Sequence, residues 1–204
     1  MGSLTEGPRI LETSRLVIRP FIKNDLLLIH RILSQAFGDP RTYPTEYLPE
    51  SALEERRSWL EWQVLSYEWF ARLRQPPYGD RAITLKTTSQ VVGSIGYVPL
   101  LMPFEQIPEL GNSPSPRGHY STELGLFWAV DPTHQRKSYA SEAAQAMVEH
   151  AFTQLRLKRI IATTEHANLA SQRVMRKIGM RLVRNPLPEP PWLQVAGVLD
   201  NTLV

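Results

Sequence analysis

An α/β fold built on a mixed central sheet is what this sequence predicts, and three observations predict it. Residues 122–130 alternate with period two: Leu124, Leu126, Trp128 and Val130 take one face, and Gly125, Phe127 and Ala129 the other. Both faces are largely apolar, which suits a central strand covered on both sides. Ala140, Ala143, Ala144, Met147, Val148, Ala151, Phe152 and Leu155 then recur at helical spacing. Finally, the run KRIIATTEHANLASQRVMRKIGM reads as a second strand and a short helix, with Asn168 as N-cap and Gly179 just past the end. Strand, turn, helix, strand and capped helix make one βαβα unit, with ligand expected at the strand C-termini.

The elements follow in order. Residues 1–9 read as a loose tail, and residues 10–204 as a single domain. Leu16 and Ile18 alternate against Arg15, Val17 and Arg19 in a first strand. Asn24 or Asp25 caps a helix running to about Phe37, with Leu26, Ile29, Leu33 and Phe37 on one side. Gly38-Asp39-Pro40 stops it. Ser51-Ala52-Leu53-Glu54 is a capping-box signature for a second helix to about Leu73, rich in aromatics: Trp59, Trp62, Tyr67, Trp69 and Phe70. Most of these are expected in the core, with one or two lining a ligand pocket. Residues 75–80 read as a loop. Residues 81–86 and 91–98 form a hairpin around Thr87-Thr88-Ser89-Gln90. The proline-rich stretch 99–120 is expected as a long, partly mobile flap joining two antiparallel strands. Residues 181–184 form a strand, 185–191 a turn, and Trp192–Leu199 a last strand. The sheet then holds about six or seven strands with helices on both faces.

Composition excludes several classes of function. In 204 residues, 23 bases stand against 20 acids, so the net charge is only +3 and basic residues are dispersed. A nucleic-acid partner wants a concentrated basic face. No cysteine is present, which removes disulfides, thiolate metal sites and a cysteine nucleophile. The five histidines (His30, His119, His134, His150, His166) show no metal-ligand spacing, and His119 and His134 are expected on the surface. No run approaches membrane-spanning length and residues 1–9 lack a signal-peptide core. A cytoplasmic protein without a membrane partner or metal, monomer or homodimer, is the expectation.

The turn before the long helix carries the first chemical signal. Gln135, Arg136, Lys137, Ser138, Tyr139, Ala140 and Ser141 are mostly small or polar and open a helix. Helix-start N–H groups lack intrahelical partners, and the helix dipole adds positive potential, so such a turn can cradle a phosphate.

The residues here resemble the acetyl-CoA-binding core of the GNAT N-acetyltransferases, in the branch of the ribosomal-protein N-terminal acetyltransferases. The family pattern Gln/Arg-x-x-Gly-x-Gly/Ala is met by Gln135 to Ala140, Tyr-Ala-Ser/Thr-Glu-Ala by Tyr139 to Ala143, and Asn-x-x-Ser-x-x-x-x-x-Lys-x-Gly-Phe by Asn168, Ser171, Lys177, Gly179 and Met180. Leu11 to Pro20 matches that branch's first strand. The turn glycine is replaced by Ser138.

The resemblance implies a GNAT fold, splayed at the acetyl-CoA site, and direct transfer of acetyl from acetyl-CoA to a primary amine of a small molecule or a protein N-terminus. Pyrophosphate would lie on the backbone of residues 136–141, with Gln135 and Arg173 also at the cofactor. The thioester would run along Trp128, Ala129 and Val130. Glu123 is the expected base, Asn168 bonds pantetheine or an ordered water, and Ser171 or water returns a proton to the thiolate. Met175 stands where many relatives place a tyrosine acid. A competing reading, motivated by Ser138 and Met175, is a GNAT fold that binds CoA without transferring acetyl.

Overall fold

The computed structural model describes residues 10–37, 50–76, 78–111 and 119–202. Among the described residues, eight strands and four α-helices follow one another as β1 (Leu11–Glu12), β2 (Leu16–Pro20), α1 (Leu26–Phe37), α2 (Glu50–Arg72), β3 (Gly79–Leu85), β4 (Val91–Met102), β5 (Ser121–Val130), α3 (Tyr139–Thr153), β6 (Arg159–Thr164), α4 (Leu169–Lys177), β7 (Arg181–Arg184) and β8 (Val195–Asp200). The strands form a mixed open sheet in the order β1-β2-β3-β4-β5-β6-β8-β7. The chain groups into two compact units, residues 1–97 with 127–147 and residues 98–126 with 148–204.

The first unit is built on the antiparallel run β1-β2-β3-β4. Ile18 pairs with Ile83, and Asp80 and Ala82 pair with Gly96 and Ser94. Cross-strand partners share a face. The face carrying Ala82 and Ala129 packs against α1 and α2 through Phe21, Leu26, Ile29, Ile32, Leu33 and Leu60, with Trp59 and Phe127 partly buried beside them. The opposite face carries Tyr97, wholly buried, whose hydroxyl donates to the Met147 carbonyl of α3 at 2.6 Å.

The second unit holds β6, β8 and β7 in antiparallel pairing, with Ile161 opposite Val198 and Val183 opposite Ala196. Gly197 lies where a Cβ would come within 2.9–3.1 Å of the Met180 and Met175 side chains. Glycine there lets α4 and the strand after it close on the sheet. Phe104, Ile107, Ile161, Val183, Leu193, Ala196 and Val198 form this unit's core.

Several expectations change. The sheet has eight strands because Leu11–Glu12 adds a short ladder to β2. The stretch 99–120 is not a flap over its first half. β4 continues to Met102, a 3-10 turn covers Phe104–Gln106, and Phe104 and Ile107 are core residues. Residues 112–118 lie outside the described set, as do the tail 1–9, the stop at 38–40 and the side chain of Ser51 in the capping box. Phe37 is exposed, resting on Phe127 at 5.5 Å, so the buried face of α1 is Leu26, Ile29, His30, Ile32 and Leu33. Asp80, expected in a loop, lies on β3. Trp62 and Trp69 are exposed, whereas Trp59 packs edge-on against Phe21 at 5.6 Å.

Candidate active site

β5 stops at Val130 because Asp131-Pro132 turns the chain. The buried Asp131 carboxylate accepts from the Thr133 N–H at 2.9 Å and from Arg31 at 2.7 Å, which pins the turn. Burial opposes its charge, but bonds from Thr133 and the nearby Arg31 offset this and hold the carboxyl below the usual range. The chain then reaches α3 through two left-handed residues, Arg136 (φ 60°) and Ser138 (φ 65°), with Lys137 between them. Alternating backbone hands turn successive N–H groups inward, a concavity that suits an anion. Gln135, Arg136, Lys137 and Ser138 are exposed around it, and the helix begins at Tyr139. The Ser138 carbonyl accepts from the Glu142 N–H at 3.0 Å and the Ser141 hydroxyl at 3.0 Å.

Glu142 is a residue the sequence reading left without a role, although it sits inside the matched Tyr-Ala-Ser-Glu-Ala run. Its carboxylate accepts from the Thr13 hydroxyl (2.5 Å), the Ser14 hydroxyl (3.1 Å), and the Arg15 N–H (3.0 Å) and Nε (2.7 Å). Arg15 in turn donates to the Lys137 carbonyl at 3.0 Å and lies over the Tyr139 ring at 4.7 Å. The strand entry Leu11–Pro20 and the turn are therefore one hydrogen-bonded assembly. The two matched motifs lie far apart in sequence and meet at this carboxylate.

The expected thioester strand is β5. Asp131 N–H donates to the Val92 carbonyl at 2.9 Å, and a Cβ on Gly93 would strike the Ala129 carbonyl oxygen at 2.4 Å. At the other end Gly125 lies against Val98 and Leu100. The two strands thus run antiparallel. The parallel ladder of β5 with β6 is registered at Gly125↔Ile161 alone among the described residues. Ala129 and Val130 are buried and Trp128 is half-buried. Gln135 Nε2 donates to the Val130 carbonyl at 3.2 Å, tying the turn back to the strand end.

In the second unit, Glu123 is half-buried and accepts from Arg159 Nη1 at 3.4 Å, while Arg159 Nε binds Asp200 at 2.7 Å. Asn168 caps α4 as expected, accepting from the Ser171 N–H at 3.0 Å. Arg173 is exposed, and Ser171 is half-buried. Met175, 1% exposed, is packed against Gly197 and is a core residue.

Of the histidines, His119 is exposed and His134 half-buried, but His30 and His150 are buried. Among the described residues no cluster of His, Asp and Glu could hold a metal ion, and no helix is long and apolar enough to cross a membrane. The other charged group missed at the sequence level is Asp80, whose carboxyl is pushed up to about 6 by burial, with Arg56 pulling the other way. A single Asp following a glycine carries no motif, so only the fold shows it.

Residues 15–181 match the family model of the acetyltransferase (GNAT) domain. The chain is 52% identical over 64 residues to the uncharacterized N-acetyltransferase YnaD of Bacillus subtilis, a match covering 31% of this chain and 36% of YnaD. It is 28% identical to the uncharacterized N-acetyltransferase YoaA of the same organism over 84% of this chain and 82% of YoaA. Among solved structures, Mycobacterium smegmatis RimJ in complex with CoA-disulfide superposes with a TM-score of 0.60 at 16% identity, over 100% of this chain and 91% of RimJ. With the family model covering β2, the anion turn and α4, the chain belongs to the GNAT acetyltransferase family.

Proposed function

We propose that this protein transfers acetyl from acetyl-CoA to a primary amine of a small molecule or a protein N-terminus by direct attack. The observation that carries the reading is the turn at Arg136–Ser138, with two left-handed residues opening α3 beside exposed Arg136 and Lys137. Backbone N–H groups of residues 136–141 neutralise pyrophosphate there. The end of β5, Trp128–Val130, carries the thioester, and a backbone N–H placed at its carbonyl contributes about 3 kcal/mol to the transition state. Gln135 and Arg173 support the cofactor. Asn168 bonds pantetheine or an ordered water, and Glu123 accepts a proton as the amine attacks. The carbon–sulfur bond breaks, and Ser171 or water protonates the thiolate. Because Met175 is buried, no side chain at that position supplies the acid. A cytoplasmic setting and a monomer or homodimer belong to the same proposal.

Calorimetric titration with acetyl-CoA followed by turnover against an amine panel tests it. Micromolar binding with release of CoA on adding an amine is expected. Binding without release on any amine would leave a CoA-binding protein that does not transfer acetyl, and no binding would remove both readings.

A further inference from the structure

Two residues with side chains hold left-handed backbone in the turn before α3, Arg136 at φ 60° and Ser138 at φ 65°. Neither is glycine, so each conformation carries a cost that other interactions must offset. The flanks of the turn are held from within it. Gln135 Nε2 donates to the Val130 carbonyl at 3.2 Å, and the Ser138 carbonyl accepts from the Glu142 N–H and the Ser141 hydroxyl. The middle is held from outside, by Arg15.

Arg15 lies in the bend between β1 and β2, and its backbone is fixed independently of its side chain. The Thr13 N–H donates to the Leu16 carbonyl at 3.0 Å, and the Arg15 carbonyl accepts from the Lys86 N–H at 2.9 Å. Glu142 then aims the guanidinium. Arg15 Nε and Nη2 lie 2.7 and 2.5 Å from Glu142 Oε2, with the Tyr139 ring 4.7 Å from the guanidinium carbon. Nη2 has a second proton, which goes to the Lys137 carbonyl at 3.0 Å. That carbonyl shares its peptide plane with the Ser138 N–H, and in a trans peptide the two point to opposite sides. Rotating this plane changes ψ of Lys137 and φ of Ser138 together. The bond that holds the oxygen therefore also holds Ser138 at positive φ, with its N–H directed away from Arg15.

We propose that Arg15 is a positioning residue for CoA: by holding the Lys137 carbonyl it keeps Ser138 left-handed and aims the Ser138 N–H into the anion concavity. The inference rests on the acetyl-CoA reading for its ligand, and on the printed geometry of Arg15, Glu142 and Lys137 for the clamp. Without the clamp, serine relaxes towards negative φ, and apparent CoA affinity falls with the fraction of turns still receptive. Glycine at 138 has no such tendency. The effect of Arg15 on CoA must then depend on which residue occupies position 138. Neither simple attraction between Arg15 and the ligand's phosphates nor a general loss of stability produces that dependence.

The test is a double-mutant cycle on the full chain, read as the CoA Kd by calorimetry, with melting followed by circular dichroism. Arg15→Ala is expected to raise the Kd about tenfold or more in the Ser138 background and about threefold or less in the Ser138→Gly background. In turnover the acetyl-CoA KM rises with it, while kcat at saturating acetyl-CoA is retained. Arg15→Lys keeps the charge but lacks the planar fork that spans Glu142 and the Lys137 carbonyl, so it too weakens CoA binding, and Ser138→Gly restores it. This variant carries the same comparison if Arg15→Ala proves unfolded. Equal losses in both backgrounds, or Arg15→Lys binding CoA as tightly as wild type, would show that Arg15 acts through its charge and overturn the clamp. An unchanged Kd in Arg15→Ala would overturn it also, and either result leaves the acetyl-transfer reading standing. A wild-type chain that binds no CoA overturns that reading and this inference with it.

Discussion

At Ser138 a residue with a side chain holds φ 65°, a conformation that glycine adopts freely and other residues adopt at a cost. Ser138→Gly should therefore raise thermal stability, by about 1 kcal/mol at most, and keep or tighten CoA binding. Ser138→Asp should weaken CoA binding by placing a negative charge at the anion turn. An aspartate variant that binds CoA equally well would move the pyrophosphate elsewhere. Glu123 poses a different residue-scale question, because Arg159 already holds its carboxylate. If Glu123 takes the proton, Glu123→Gln lowers turnover at least tenfold at neutral pH, leaves the acetyl-CoA Kd unchanged, and retains a residual rate that rises with pH. Unchanged turnover in steady-state assays would assign Glu123 to the Arg159–Asp200 network instead.

The element that carries most consequence is the N-terminus of α3, where Glu142 gathers four hydrogen bonds from Thr13, Ser14 and Arg15. Burial penalises its charge, yet bonds from Thr13, Arg15 and Ser14 outweigh that and hold the carboxyl below its ordinary value of 4.5. A depressed acid stabilises the fold above its unfolded pKa, and that contribution disappears as pH falls through the lower folded value. Glu142→Gln should thus cost about 1–3 kcal/mol in urea unfolding at pH 7, and the difference from wild type should shrink below pH 4.5. A constant difference across pH would show that the loss is one of packing and not of charge. The sequence marked both ends of this assembly, Leu11–Pro20 and Tyr139–Ala143, because each is local and patterned. It did not show that they bond to each other, since a contact across 127 residues leaves no periodic trace.

For the whole molecule, the proline-rich stretch decides how far loop engineering can reach. Its first half contributes Phe104 and Ile107 to the second unit's core, 2% and 0% exposed. Shortening the chain from Pro103 onward would therefore remove core and not a flap. Phe104→Ala should cost about 3–5 kcal/mol by chemical denaturation; a loss under 1 kcal/mol would place Phe104 outside the core. The sequence by itself determined the α/β class, the βαβα unit, the Asn168 cap, the Gly179 stop and the basic turn. Each of these follows from spacing, chain-breaking residues or backbone preference within a few neighbours. Only the tertiary structure decided that Ser138 holds the hand glycine prefers, that Met175 is core, that Arg159 occupies Glu123, and that burial pushes the Asp80 carboxyl up to about 6. Those facts depend on which distant side chains arrive at the same place, and burial and charge acquire their energies only once the chain has brought them there.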